Sequence, residues 1–387
     1  MIFSKHVMFL ARCNLNHKIC FFLYLIILII HLISLKRFNE IIFKMSEFHF
    51  NQQKTSNDYN FNPLITIAIP LYNKISFLER LTLSILQYTN TERNKNHILF
   101  EMVVVDANSD DGSYQFFENL VLILNGTFDT NHNDEFINKY HLKQFAINNS
   151  KYFNMSFSQI PFSTSEVLIY DRSCIYIHIY RQKKKTLSSK VRQICVEKSN
   201  GMFIWQVDPD DIVNTPFVPD IVDTVSANRN IDIIEFSFYY HLVKKDGSVK
   251  TKRNKKKKKI IHSNHEIVEQ FLTNKKHEWQ LWQCIVRREI YLKAIQTIRK
   301  MVPDTEKVYY ASDLFFYIPI TYHSNSYISI SAFGYHYFYR NNGSVSLLAK
   351  KGKIHPRGGK RLVFGFLEAL FNNSGIPIPP EYQAKNI

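Results

Sequence analysis

The sequence predicts an α/β protein whose mostly parallel sheet carries helices on both faces. Continuous apolar runs of strand length recur without the alternation of a half-exposed strand, as expected where both faces are buried. Segments with helical apolar spacing lie between them, so strands alternate with helices as in folds where crossovers cover a parallel sheet. The runs also stop at proline, asparagine or aspartate, and ligands on such sheets bind outside the carboxyl ends of the strands.

In chain order, Leu64 to Ile69 reads as a strand stopped by Pro70-Leu71-Tyr72-Asn73. Ile75 to Tyr88 follows as a helix with Ile75, Leu78, Leu81, Leu83, Ile85 and Leu86 at helical spacing. Phe100 to Val105 reads as a second strand, running into the polar loop Asp106 to Ser113. Residues 120–165, rich in Asn, Phe and Ser, read as an insertion, and loops of that size are commonly functional or disordered. Ile175 to Tyr180 reads as a third strand and Met202 to Val207 as a fourth. Lys244-Lys245-Asp246-Gly247 marks a hairpin or loop, and the basic run Lys252 to Lys259 reads as its solvated excursion. His336, in an aromatic run, reads as a core histidine, and residues 349–387 as a helical extension.

The fourth strand ends in Asp208-Pro209-Asp210-Asp211. Alone, this tetrad fits two readings equally. Clustered carboxylates repel, and a divalent cation would relieve them, since magnesium and manganese take oxygen ligands from one or two carboxylates plus substrate phosphates. A polar turn with Asp211 as a helix N-cap before Ile212 and Val213 also accounts for the residues. Asp106 likewise fits an Asx turn, Asp313 a helix start, Arg192 a surface charge, and Tyr339 to Ser344 a plain turn.

The pieces ITIAIPLYN, VVVDANSDDGS, Arg192 ahead of WQVDPDD with Gly201 between, LWQCIVRREIY, ASDLFFYIPI and YHYFYRNNGSVS span roughly residues 64 to 348. In order and spacing they resemble the family 2 glycosyltransferases, which have the GT-A, Rossmann-like nucleotide-sugar-binding fold. The resemblance implies a hexosyl- or N-acetylhexosaminyl-transferase using a nucleotide sugar, expected to be a UDP-sugar, and inverting the anomeric centre in one displacement. It implies that Pro70, Tyr72 and Asn73 line the base pocket, that Asp106 meets the uracil or ribose, and that Arg192 faces the nucleotide or its phosphates. Asp208 and Asp210 would form the metal-binding DXD element, Asp208 bridging ribose and metal, with Mn2+ or Mg2+ as cofactor. Asp313 would be the catalytic base toward an acceptor hydroxyl. Tyr339, Arg340 and Ser344 would close over the donor.

The chain departs from the family pattern at Ser312, where an acid is usual before the base, and at Gln193 and Cys195, where Asn and Gly are usual after the arginine. An inactive glycan-binding or structural relative therefore stays open as an alternative. So does a nucleotidyltransferase, although PLYNKISFLE lacks the glycine-rich loop expected of one. The acceptor, whether glycan, protein or lipid, is unspecified.

The net charge of +16 is concentrated in Lys183-Lys184-Lys185 and the run after Lys252, without a nucleic-acid motif, and nucleic acid is not expected as a partner. The 5 cysteines are too irregular for a disulfide framework or zinc site. Ile19 to Leu35 is uncharged and at the short end of what spans a bilayer, so residues 19–35 read as a single-pass signal anchor. Residues 1–18 then form a basic segment, 36–62 a stem and 63–348 the catalytic domain. Basic residues on both sides leave the orientation open. The sequons at Asn125, Asn148, Asn154, Asn342 and Asn372 suit an ER or Golgi membrane protein if the domain is luminal. A start at Met45 would instead give a cytoplasmic enzyme.

Overall fold

The computed structural model describes residues 64–89, 100–124, 135–140, 175–214, 217–228, 230–273, 280–302, 308, 311–340, 356–372 and 375–384. The chain separates after Phe61 into two units, and all described residues lie in the second, Asn62–Ile387. The expected anchor at residues 19–35, the stem, most of the insertion, and Ser344 with its sequon lie outside the described residues. Among the described residues no helix is long and apolar enough to cross a membrane.

Four strands form the parallel half of the sheet: β1 (Ile65–Leu71), β2 (Phe100–Asp106), β3 (Ile175–Arg181) and β4 (Phe203–Gln206). Their order is β3-β2-β1-β4, every pair parallel. Leu71 pairs with Asp106 and Asp106 with Arg181, so the three carboxyl ends finish level, and Ala68 pairs with Gln206 just before the acidic tetrad. On one face Ile65, Ile67, Ile69 and Leu71 pack against α1 (Ile75–Thr89) and α2 (Ser113–Leu124). On the other, Ala68, Val103 and Val105 pack against α4 (Ser188–Lys198). The short α3 (Glu135–Lys139) follows α2.

Beyond β4 the sheet is mixed, unlike the mostly parallel arrangement expected. Its order continues β9-β6-β10-β5, from β5 (Ile212–Val213), β6 (Ile233–Val243), β9 (Cys284–Arg287) and β10 (Tyr327–Arg340). Strand β9 runs antiparallel to both β4 and β6, while β10 runs parallel to β6. β7 (Val249–Asn254) pairs antiparallel with β6, and β8 (Lys259–Ile261) with β10. The short hairpin connection from β6 forces β7 to be antiparallel, whereas the parallel return in β10 needs a long crossover. That crossover contains α6 (Asn264–Thr273), α7 (Arg288–Met301) and α8 (Ser312–His323), which with α9 (Pro356–Phe371) build the second apolar cluster. α5 (Val218–Ala227) packs on the first.

The basic run is not wholly a solvated excursion. Lys252 and Arg253 lie in β7, and Lys256 turns inward to place Nζ 3.0 Å from Glu235 Oε1. Glu235 is buried and also accepts from Gln283 Nε2 at 3.1 Å and from the Tyr327 hydroxyl. A buried carboxylate needs such partners, and this one recruits a lysine that the sequence shows only as one of many.

Gly201 joins α4 to β4 at a close backbone approach. A Cβ there would meet Thr66 Oγ1 at 2.5 Å and Thr66 N at 2.6 Å. The Gly201 N–H donates to Thr66 Oγ1 at 2.9 Å, and Asn200 donates to Glu101 through both its backbone and side-chain nitrogens at 2.7 Å. Gly201→Ala should therefore destabilise the protein by about 1–3 kcal/mol through overpacking. Equilibrium denaturant unfolding measures this, and an unchanged midpoint would show that β1 and β4 separate freely here.

Candidate active site

The loops that leave β1 and β2 are joined side chain to backbone. Asn73, in the left-handed region at φ 50°, donates its backbone N–H to Ser109 Oγ at 2.9 Å and its Nδ2 to Asp110 Oδ1 at 2.7 Å, while Asp110 N returns a bond to Asn73 Oδ1. Lys74 N donates to Ser113 Oγ at 2.8 Å and Ile75 N to Asp111 Oδ2 at 3.0 Å, satisfying N–H groups at the start of α1. Asp106 sits beneath this junction, fully buried, and accepts from Ser109 N and Oγ with Arg181 Nε 3.5 Å away. Burial raises its pKa above the ordinary carboxylate value, against the pull of Ser109 and Arg181. Asp106 thus organises the loop from below, and Ser109 and Arg181 form the layer above it.

The fourth strand delivers the tetrad to the same end. Asp208 donates its N–H to the Tyr335 hydroxyl at 3.0 Å and accepts Arg192 Nη2 on Oδ1 at 2.7 Å. Arg192, on α4 and only 7% exposed, also reaches Asp313 Oδ1 at 3.5 Å and Gln206 Oε1 at 3.3 Å. It therefore bridges two acids from distant parts of the chain. Asp210 Oδ2 lies 2.7 Å from Lys74 Nζ and 3.7 Å from Arg340 Nη1, and its backbone carbonyl accepts from Arg80 and Arg340. Arg340 lies over the Phe77 ring and Arg80 over the Phe338 ring, a packing that keeps both guanidinium groups beside the tetrad.

Asp211 takes a role the sequence did not suggest. It caps no helix, because Ile212 and Val213 form β5 and the next helix begins after Phe217. Its Oδ1 accepts from Phe338 N at 2.8 Å, clipping the tetrad to β10, and it is only 2% exposed. Burial first, then Asp208 and Asp210, push its pKa well above the usual carboxylate value.

Asp313 stands in the first turn of α8, where a negative charge is favoured by the helix dipole. The preceding Ala311 takes a left-handed φ of 56°, a strained conformation for a residue with a Cβ. The Asp313 side chain keeps 25% of its surface open. Burial raises its pKa, Arg192 opposes the rise, and Asp208 adds to it. Arg192 is correspondingly held more basic than usual: burial disfavours its charge, but Asp208 and Asp313 outweigh that.

The structure thus brings together Asp208, Asp210, Arg192, Asp313 and Arg340, five residues singled out in the sequence. Pro70 is the penultimate residue of β1, paired with Val105, so the strand runs through it to Leu71, and the Tyr72 ring lies 4.4 Å from Lys185 Nζ. Tyr339 stacks on Tyr240 with ring centroids 6.1 Å apart. Sequence reasoning missed Lys74, Arg80, Arg181 and Tyr335. Lys74 had a signal, as the first charge after the β1 turn; the others are recruited from afar.

Asp208 and Asp210 have oxygen-only chemistry suited to Mg2+ or Mn2+. Their Oδ1 and Oδ2 respectively meet cations, leaving Asp208 Oδ2 and Asp210 Oδ1 outside the hydrogen bonds and ion pairs of the described residues. Among those residues no group of three or more His, Cys, Asp or Glu is arranged as a metal cage. Two carboxylates of this chemistry would leave most of a divalent cation's ligands to come from outside the described residues.

No family model matches the chain, and no curated protein matches it. Among solved structures it is similar to residues 1–349 of TarS from S. aureus, at 14% identity and a TM-score of 0.44, over 80% of this chain and 72% of that one. The complex of that protein with UDP-GlcNAc aligns at 14% identity and a TM-score of 0.45, over 80% of this chain and 73% of that one. A likeness at this level leaves the chemistry to be argued from this chain's own residues.

Asp211 makes stability depend on pH with a definite sign. Its pKa is raised on folding, so the folded state holds the proton more tightly. Its contribution is full below the unfolded value of about 4 and is lost as pH rises toward the folded value. Asp211→Asn should flatten that decline in denaturant titrations run at a series of pH values; an equal slope in both proteins would show that Asp211 is ionised in the fold.

Proposed function

We propose that the protein is a glycosyltransferase that moves a sugar from a nucleotide-sugar donor, a UDP-sugar in our reading, to an acceptor hydroxyl with inversion. The observation that carries this is the convergence of Asp208, Asp210 and Asp313 with Lys74, Arg192 and Arg340 at the carboxyl ends of parallel strands. Acids and cations in such proximity suit a substrate with a charged leaving group and a hydroxyl to be deprotonated.

Lys74 and Arg340 are placed to transfer their charge from Asp210 to the donor's diphosphate when it binds, because both reach the site on flexible side chains. Tyr72 and the loop held by the Asn73–Asp110 bonds would line the base pocket. A divalent cation held by Asp208 and Asp210 would supply Lewis-acid neutralisation of the leaving diphosphate. Asp313 removes the acceptor proton, its raised pKa making it a stronger base than an ordinary aspartate. Arg192, 3.5 Å from Asp313 Oδ1, opposes that rise and so favours the ionised carboxylate.

Incubating the protein with a panel of nucleotide sugars, with Mn2+, Mg2+ or chelator, tests the class. Release of one nucleotide is expected, and a folded protein that neither binds nor hydrolyses any donor would sink the enzyme reading. Asp210→Ala should lose metal-dependent donor binding, whereas Asp313→Asn should keep binding and lower transfer about a hundredfold or more. Equal loss of donor binding in both variants would overturn the roles assigned to them.

A further inference from the structure

The β7-β6-β10 ribbon carries an ordered row of side chains that the chemistry above does not use. Tyr337 pairs with Tyr240 and Tyr339 with Leu242 across β10 and β6, while Tyr240 pairs with Lys252 and Leu242 with Lys250 across β6 and β7. Residues directly opposite in a sheet share a face, so Tyr337, Tyr240 and Lys252 form one row and Tyr339, Leu242 and Lys250 a second beside it. The rings meet accordingly: Tyr240 lies 5.8 Å from Tyr337 and 6.1 Å from Tyr339.

The inner edge of these rows is continuous with the carboxylates. Trp282 stacks on Tyr337 at 4.9 Å and on Tyr335 at 4.7 Å, both nearly parallel, and Tyr335 accepts the Asp208 N–H. Burial, followed by Asp211, Asp208 and Asp313, holds the Tyr337 hydroxyl above the ordinary phenol range. The outer edge is open and basic, with Lys250 and Lys252 exposed, while Tyr339 at the β10 end of the second row is 37% exposed. With strands about 4.8 Å apart, the lysine strand lies roughly 10 Å from β10.

We propose that this face is the acceptor subsite and that the acceptor is a chain of sugars bearing negative charge, a proposal that rests on the glycosyltransferase reading. The exposed Tyr339 ring suits the C–H face of a pyranose, and its hydroxyl can bond the ring substituents, while Tyr240 and Tyr337, half-buried against the core, support it from beneath. A chain laid from β10 to β7 presents a terminal hydroxyl toward Asp313 at the inner edge. Its carboxylate, sulfate or phosphate groups meet Lys252 and Lys250 at the outer edge, away from the acids of the site. Single-stranded nucleic acid also stacks on aromatic rings beside cations, but the inner edge calls for a hydroxyl next to a base rather than for further phosphates.

Affinity electrophoresis of the full-length protein through gels holding polygalacturonate, dextran or oligo(dT) tests the proposal. Polygalacturonate should retard the protein, dextran at least about tenfold less, and both K250E/K252E and Tyr339→Ala should weaken the retardation about tenfold. The lysine pair lies on an exposed strand, so its reversal remains informative should the tyrosine variant fold poorly. A UDP titration of the same protein reports the donor side separately. UDP bound with no polygalacturonate retardation, or with retardation untouched by K250E/K252E, overturns this subsite alone. Dextran held as strongly as polygalacturonate overturns the anionic acceptor, and tighter oligo(dT) binding lost in K250E/K252E makes the face a nucleic-acid surface. Absence of UDP binding removes the reading beneath the proposal.

Discussion

A single guanidinium holds the two ends of the chemistry in one place. Arg192 lies between Asp208, at the end of a strand in the parallel half, and Asp313, on a helix of the long crossover. Each acid is partly withdrawn from water, and without a cation between them the two carboxylates would repel. One delocalised cation with several fixed N–H donors meets both, which a lysine ammonium would do less well. The arrangement is costly by itself, since removing three charges from solvent seldom stabilises a fold. Its location at the strand ends is what gives that cost a purpose.

The placement of Arg192 depends in turn on ordinary packing. Val191, Cys195 and Val196 seat α4 against the sheet, and Gly201 lets the chain turn back into β4 close to β1. Buried Glu101 gathers Thr66, Asn200 and His178 at the far end of the same strands. The amino ends of the sheet are thus fastened by a satisfied polar cluster, while the carboxyl ends keep charges that a ligand can engage. Cys195 and Cys284 are buried within this framework, and burial raises the Cys195 thiol to about 12, so it behaves as packing and not as a nucleophile.

How much of this could be read in advance followed from how local each signal is. β1 to β4 and the helix after β1 were legible because continuous apolar runs and helical spacing are properties of adjacent residues. Asp208, Asp210, Asp313, Arg192 and Arg340 stood out through their order along the chain, and the structure brings them together. The mixed half of the sheet was not legible, because the direction of β9 depends on β4 and β6, far away in sequence. Asp211 looked like a cap until its partner proved to be the backbone of Phe338, and Lys256 looked solvated until Glu235 drew it in. Burial and distant partners decided these cases, and neither is written in the neighbouring residues.

The parallel pairing of β6 with β10 also bears on the order in which the molecule can assemble. The two strands are separated by the whole crossover, and contacts between such distant segments must await the closing of a long loop. β10 supplies Tyr335 to Asp208, the Phe338 amide to Asp211 and Arg340 to Asp210. A nascent chain that has completed β1 to β4 therefore exposes its acidic tetrad without these partners, and they arrive only when the last strand is synthesised and docked. Completion of the carboxylate end waits on β10, the last of the described strands, so a product stalled before it carries an acidic tetrad without its partners.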